Sequence, residues 1–371
     1  MKLGIPGPRT LSAAAENSFD KAFRGGVADL RPMPSDIIDS GPQRAVHRYE
    51  LLSPPSSDVP VLLVPPLAAP TSCFDLRRGC SLAEHLTALG HPLYLVDYGR
   101  ISFDDRALGI EHWVEDVIPK AAAAAMADLG ADRVQVVGWC LGGIMSLLSV
   151  ADGMVPATSV AMVASPFDFA KVRVMAPIRR LASLTRGAAG TALYRMMGGA
   201  PAPLVSAGFR LSSIDKTLTK PFTVATHLHD RDFLAQIEAV DAFMGDMIAY
   251  PGRTFGQLYH QFFRVNDLHD GQIELSQNSI DLADVDVPVL AIAGESDVLA
   301  PPPAVHHVGS LLTGSPDVRV ETAPGGHLGV LTGRSAERTS WRALDAFLHE
   351  TGDAPKGAAV TASGSAALPA R

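Results

Sequence analysis

The stretch Gly138-Trp139-Cys140-Leu141-Gly142-Gly143 constrains this chain more than any other. It follows Arg133-Val134-Gln135-Val136-Val137, an apolar run short enough for a buried strand, and precedes Ile144-Met145-Ser146-Leu147-Leu148, which reads as a helix. A strand that turns into a helix across G-x-nucleophile-x-G must bend too sharply for side chains on either side. The central residue is left exposed in a strained backbone conformation. Here that residue is cysteine, which points away from ordinary ester hydrolysis and towards thioester chemistry. A free cysteine is often only a small buried hydrophobe, but one held between glycines at such a turn reads as a nucleophile.

The rest of the chain follows a strand–helix rhythm. Residues 1–44 are expected to be a loosely structured lead-in with a helix pattern over Leu11–Phe23. Ala45–Leu52 and Val59–Val64 read as strands, and Asp75–Leu89 as a helix stopping at Gly90. Pro92–Asp97 reads as a strand, Ile110–Leu129 as a long helix ending at Gly130, and Ser159–Val163 as the strand after the elbow helix. The rhythm breaks after Ser165 and resumes with strands at Pro288–Ala293 and Val318–Thr322 and a closing helix over Ser335–Glu350. This predicts an α/β core, a mostly parallel, doubly wound sheet over 45–165 and 282–350. A mainly helical cap is expected over 166–281. The Ala-, Gly-, Ser- and Pro-rich tail over 351–371 is expected to be disordered.

A nucleophile elbow needs a base and an orienting acid, arriving in the order nucleophile, acid, histidine when the sheet is that of an α/β-hydrolase. Asp297, in Gly294-Glu295-Ser296-Asp297, directly follows a predicted strand. His327, in Pro324-Gly325-Gly326-His327-Leu328-Gly329, follows the next one. Catalytic groups of open α/β sheets gather beyond the carboxyl ends of their strands, and Cys140, Asp297 and His327 all fall there. The oxyanion hole is expected from two backbone N–H groups. One is that of Leu141, and the other comes from the loop Pro65-Pro66-Leu67-Ala68-Ala69, where Leu67 and Ala68 are the candidates because proline has no N–H. His306 and His307, after Pro301-Pro302-Pro303, read as a solvated or packed face. Cys73 and Cys80 read as core.

The chain has 371 residues, a net charge of −8 and 47% hydrophobic residues, which supports a real core and argues against nucleic acid as a main partner. Three cysteines cannot pair completely, and the start has no apolar signal segment, so a reducing cytoplasm is expected. No apolar run approaches the about 18 residues of a membrane span. Neither metal-ligand spacing nor a phosphate-binding loop stands out, so no metal or cofactor is expected.

Taken together, these motifs resemble the polyhydroxyalkanoate synthase family, particularly its shorter members, over most of residues 35 to 348. The likeness rests on Gly138–Gly143, on Val64-Pro65-Pro66 with Phe74-Asp75-Leu76, and on Tyr94-Leu95-Val96-Asp97-Tyr98-Gly99. Further on it rests on Asn266-Asp267-Leu268 with Gly271, on Ser279-Ile280-Asp281-Leu282, and on Asp297 and Gly326-His327. There are departures. The family's oxyanion loop usually carries an asparagine where this chain has Leu67-Ala68-Ala69-Pro70. Val298 stands where a histidine usually follows the aspartate, and Tyr98 where tryptophan is common.

The resemblance implies an acyltransferase whose cysteine carries the growing acyl chain, mapping to Cys140 with His327 and Asp297 assisting. The substrate would be a 3-hydroxyacyl-CoA, with coenzyme A entering as part of the thioester. It also implies a second synthase subunit or a homodimer as partner, and a place at the surface of polyester granules. The glycine box resembles dienelactone hydrolases too, though those are much shorter and lack a large cap. A cysteine hydrolase acting on thioesters or lactones is therefore one alternative. A non-catalytic protein binding granules or a synthase subunit is another.

Overall fold

A computed structural model of the chain describes residues 8–173, 176, 199–211, 214–276 and 278–352. Its centre is an eight-stranded sheet. The strands are β1 (Ser35–Gly41), β2 (Arg44–Tyr49), β3 (Val61–Val64), β4 (Leu93–Asp97), β5 (Val134–Trp139), β6 (Ala157–Val163), β7 (Val289–Gly294) and β8 (Val318–Ala323), in the spatial order β1-β2-β4-β3-β5-β6-β7-β8. All pairs from β4 to β8 are parallel, whereas β2 runs antiparallel to both β1 and β4. β3, β5, β6 and β7 are buried along their whole length, which is why their sequences are mostly apolar rather than alternating, with Gln135, Thr158 and Ser159 as buried polar exceptions.

The helices that matter here are α1 (Pro8–Phe23), α2 (Leu82–Ala88), α3 (Ile118–Leu129), α4 (Leu141–Ala151), α5 (Ala202–Leu211), α6 (Ile214–Thr226), α7 (Arg231–Gly245), α8 (Gly252–Gln257) and α9 (Ser340–Gly352). α4 is buried over almost all its residues and packs on β5 and β6. α3 ends as expected at Gly130, which adopts φ +74 in the left-handed region. Its approach is not a plain α-helix. His112–Val117 forms a wider π-type turn, and Pro119 enters α3 at its first turn, where a missing N–H costs no intrahelical bond.

Three expectations are corrected. The segment before Ala45 is not wholly loose, since β1 forms there and closes the sheet edge on β2. Asp75–Leu89 is not one helix. Asp75–Arg77 and Cys80–Ser81 pair as a short hairpin through Gly79 at φ +71, and only Leu82–Ala88 is helical, capped by the Ser81 hydroxyl accepting from Glu84 N–H at 3.0 Å. The hairpin wins because Asp75 is drawn away from a helical role, its carboxylate accepting from Met33 N–H at 2.6 Å. The closing helix begins at Ser340 rather than Ser335, after a separate turn at Ala336–Arg338.

Between β6 and β7 the chain forms α5 to α8 and a hairpin of Gln272–Leu275 with Asn278–Asp281. Residues 174–175, 177–198, 212–213 and 277 of the expected cap lie outside the described residues, as do 353–371 of the expected tail. Within the described part, the segment that follows β6 is tied to the later residues at Asn266, which sits at φ +71. Its side-chain oxygen accepts from Phe169 N–H at 2.7 Å and its amide donates to Asp168 at 3.0 Å. Among the described residues no helix is long and apolar enough to cross a membrane.

Candidate active site

Cys140 lies between β5 and α4 with φ 54 and ψ −120, a conformation a side-chain-bearing residue holds only under strain. The flanking glycines are demanded by contact. A Cβ on Gly138 would lie 2.4 Å from Gly143 backbone, one on Gly142 would lie 2.2 Å from the Val64 carbonyl oxygen, and one on Gly143 would lie 2.2 Å from Ser165 Oγ. Ser165, at the end of β6, donates its hydroxyl to the Cys140 carbonyl at 2.7 Å and so braces the elbow.

Asp297 follows β7 and is almost fully buried. One carboxylate oxygen accepts from Leu299 N–H at 2.8 Å and Ala300 N–H at 2.9 Å, while the other accepts from His327 Nδ1–H at 2.8 Å. Burial pushes the Asp297 carboxyl up. The facing imidazole and the two amide donors outweigh that and hold it below the usual carboxylate range.

His327, on the loop after β8, is hydrogen-bonded through its side chain to both Cys140 and Asp297. Burial disfavours its charge, but the Cys140 sulfur and the Asp297 carboxylate prevail and raise its pKa to about 10. The structure thus brings Cys140, His327 and Asp297 together from the ends of three strands.

Trp139 adds a lateral wall. Its ring lies 5.3 Å from that of His327, its indole N–H donates to the His327 carbonyl at 3.3 Å, and Phe243 of α7 packs on it at 6.1 Å. The half-buried Tyr250 lies within electrostatic reach of Cys140. Burial first, and that neighbour second, raise its pKa.

The loop after β3 closes a turn in which Ala69 N–H donates to Pro66 O at 3.3 Å, leaving Leu67 and Ala68 as its central residues. Both are buried, and among the described residues no group accepts from the N–H of Leu67, Ala68 or Leu141. The turn is held from two sides. The Tyr98 hydroxyl donates to Pro65 O at 3.0 Å, and Ile248 N–H, from the segment after α7, donates to Ala68 O at 2.9 Å.

Sequence reading had not singled out Trp139, Ser165, Phe243, Ile248 or Tyr250 for a role at the site, and Tyr98 only as a departure. The remaining candidates lie elsewhere. His306 Nε2 bonds Glu321 O at 3.1 Å and His307 Nε2 bonds His269 O at 2.8 Å, both structural contacts away from Cys140. Cys73 and Cys80 are buried free thiols, and Cys80 donates to Thr332 O at 3.0 Å.

The sheet and elbow define an α/β-hydrolase fold with cysteine in the nucleophile's place. Among solved structures the chain superposes on a monoacylglycerol lipase from Paleococcus ferrophilus (TM-score 0.50, 16% identity, 82% of this chain and 99% of that one). It also superposes on BpoC of Mycobacterium tuberculosis (TM-score 0.50, 15% identity, 85% and 97%). No family model matches the chain.

Among curated proteins it is 27% identical over 346 residues to the poly(3-hydroxyalkanoate) polymerase subunit PhaC of Allochromatium vinosum, covering 92% of this chain and 94% of that protein. It is 25% identical over 344 residues to the subunit of the same name from Haloarcula marismortui, covering 88% and 72%. The Synechocystis sp. subunit is 24% identical over 346 residues, covering 90% and 91%. Over most of its length the chain is thus similar to poly(3-hydroxyalkanoate) polymerase subunits, and it carries an α/β-hydrolase fold.

Proposed function

We propose that this protein builds a polyester by moving 3-hydroxyacyl groups from coenzyme A thioesters through Cys140. The observation that carries the reading is the continuous hydrogen-bonded line from Asp297 through His327 to Cys140 at a strained elbow. His327 holds the proton given up by Cys140 while the sulfur attacks the thioester carbonyl, and the carbonyl electron pair moves onto oxygen. Collapse of that oxyanion breaks the bond to coenzyme A sulfur, which leaves with the proton from His327. Exchange of one thioester for another is close to isoenergetic, so the acyl group keeps its transfer potential on Cys140. His327 then removes a proton from the 3-hydroxyl of the next monomer. The alkoxide oxygen takes the acyl group, an ester forms, and the Cys140 thiol is restored.

Water competes for the acyl-cysteine, so the site must be covered. Phe243 on Trp139 and Ile248 on the Ala68 turn support such a cover. The subunit names of the relatives support a multi-chain enzyme, and we place its work at a polyester surface. The test is incubation with (R)-3-hydroxybutyryl-CoA, following coenzyme A release and product mass together, beside a Cys140→Ala control. Ester-linked oligomers that need Cys140 are expected. Free hydroxy acid as the sole product would instead assign a thioesterase, and turnover by Cys140→Ala would end the mechanism.

A further inference from the structure

We propose that Tyr98 is a positioning residue for acyl transfer, acting by fixing the carbonyl of Pro65 on which both halves of the oxyanion hole rest. The proposal deepens the acyl-transfer reading and rests on it.

Tyr98 follows β4, two strands from the nucleophile, and touches none of the three triad residues by hydrogen bond. Its ring is buried and stacks on Trp113 at 5.8 Å, so the phenol is locked in place. Burial raises its pKa well above the ordinary value, which keeps the proton on oxygen and makes the hydroxyl a donor. That proton goes to Pro65 O at 3.0 Å.

The acceptor is a joint between two elements. Downstream of it, Pro66–Ala69 forms the turn whose central N–H groups, Leu67 and Ala68, have no acceptor among the described residues. Against it lies Gly142, where a Cβ would come within 2.6 Å of the same Pro65 oxygen. Gly142 directly follows Leu141, whose N–H is the other oxyanion donor. One hydrogen bond therefore sets the relation between the strand-end turn and the elbow. Pro65 and Pro66 cannot supply N–H groups to anchor the segment themselves, so the anchoring falls to carbonyls: Pro65 O to Tyr98 below, and Ala68 O to Ile248 N–H from the cap side. An oxyanion donor acts only at the right place, and misplacement by a fraction of an ångström weakens it.

The experiment separates oxyanion chemistry from thiol reactivity. Alkylation of Cys140 by iodoacetamide needs the Cys140–His327 pair but develops no oxyanion. Acylation by a thioester needs both. Tyr98→Phe removes the donor and keeps the ring. Tyr94→Phe is the control, since it removes another tyrosine hydrogen bond, part-buried, from Oη to Asp128 at 2.8 Å, on the strand that leads to Tyr98 and away from the site.

For Tyr98→Phe the expected result is a fall in acylation kcat of about tenfold or more, below the 10²–10³ of deleting a donor outright. KM and the alkylation rate are expected to stay within about twofold of the parent, and Tyr94→Phe to acylate like the parent. Equal losses in both reactions would reduce Tyr98 to a structural role, and unchanged acylation would overturn the proposal. If the parent itself is alkylated at Cys140 yet forms no acyl adduct, the acyl-transfer reading fails instead, independently of Tyr98.

Discussion

Replacing Asp297 by asparagine isolates what the carboxylate contributes, because the structure fixes how the amide must sit. One oxygen of Asp297 already holds two backbone donors, Leu299 N–H at 2.8 Å and Ala300 N–H at 2.9 Å. The amide oxygen of asparagine takes that place, since its NH₂ would leave both donors facing another donor. The NH₂ is then aimed at His327 Nδ1, which stands 2.8 Å from the present acceptor oxygen. The ring nitrogen must become an acceptor, and the imidazole proton moves to Nε2, the side that serves Cys140. A histidine in that tautomer cannot take the thiol proton. The same substitution in a serine-protease triad lowers kcat about 10⁴-fold through the same wrong tautomer, equivalent to about 5.5 kcal/mol of barrier.

Stability should change far less, by about 1–2 kcal/mol, because every hydrogen-bonding atom keeps a partner. The assay is coenzyme A release from a 3-hydroxyacyl-CoA, read beside urea unfolding and the rate of Cys140 alkylation. Release and alkylation should both collapse in a protein that unfolds near the parental urea concentration. A folded Asp297→Asn protein that releases coenzyme A within tenfold of the parent would refute the tautomer argument.

Two other outcomes follow from the same cluster. His327 has its pKa raised from 6.5 to about 10, so its contribution to stability is whole below about pH 6.5 and is lost as pH rises through about 10. The difference in urea midpoint between the parent and His327→Gln should therefore shrink between pH 6 and pH 10.5 (about that range), and a gap constant with pH would contradict the electrostatic origin of the shift. Gly142→Ala would put a methyl 2.2 Å from Val64 O and 2.6 Å from Pro65 O, both backbone atoms with no rotamer to yield. It should cost about 1–3 kcal/mol in urea unfolding and depress acylation, and a neutral result would mean that the elbow and the strand end move freely against each other.

The parts of this site that were legible in the sequence are those whose residue types have few physical alternatives. Glycines on both sides of Cys140 are required by backbone atoms at 2.2–2.4 Å, and chain order limited the acid and base to the ends of two late strands. The turn proposed to hold the oxyanion was legible only as a segment, because proline at 65 and 66 excluded two N–H groups without ranking the rest. The supports were not legible. Tyr98, Phe243 and Ile248 act through contacts far apart in sequence, and a tyrosine or phenylalanine in an apolar run looks the same whether it fills a core or braces a catalytic loop. The missed hairpin at Asp75–Ser81 has a comparable cause. Its apolar spacing passes for helical, and what decides against a helix is Gly79 at positive φ and an aspartate pulled to Met33, 42 residues away. β1 went unseen because it is a mostly exposed edge strand, defined by its pairing with β2 rather than by an alternating pattern.

Cysteine and the covering segment belong to one chemical requirement in this reading. A serine nucleophile would surrender the thioester's free energy on forming its acyl-enzyme, whereas acyl-cysteine retains it for ester formation and is correspondingly exposed to water. The segment running from Phe243 to Tyr250 meets that exposure at three points: the Trp139 ring, the Ala68 carbonyl and the surroundings of the Cys140 sulfur. The middle contact is on the turn whose free N–H groups would stabilise the oxyanion. The same segment that would exclude water would therefore bear on the geometry proposed to lower the barrier. A substrate that displaced it on entry would meet a competent oxyanion hole only after it had reseated, when the acyl-cysteine about to form is also the best protected.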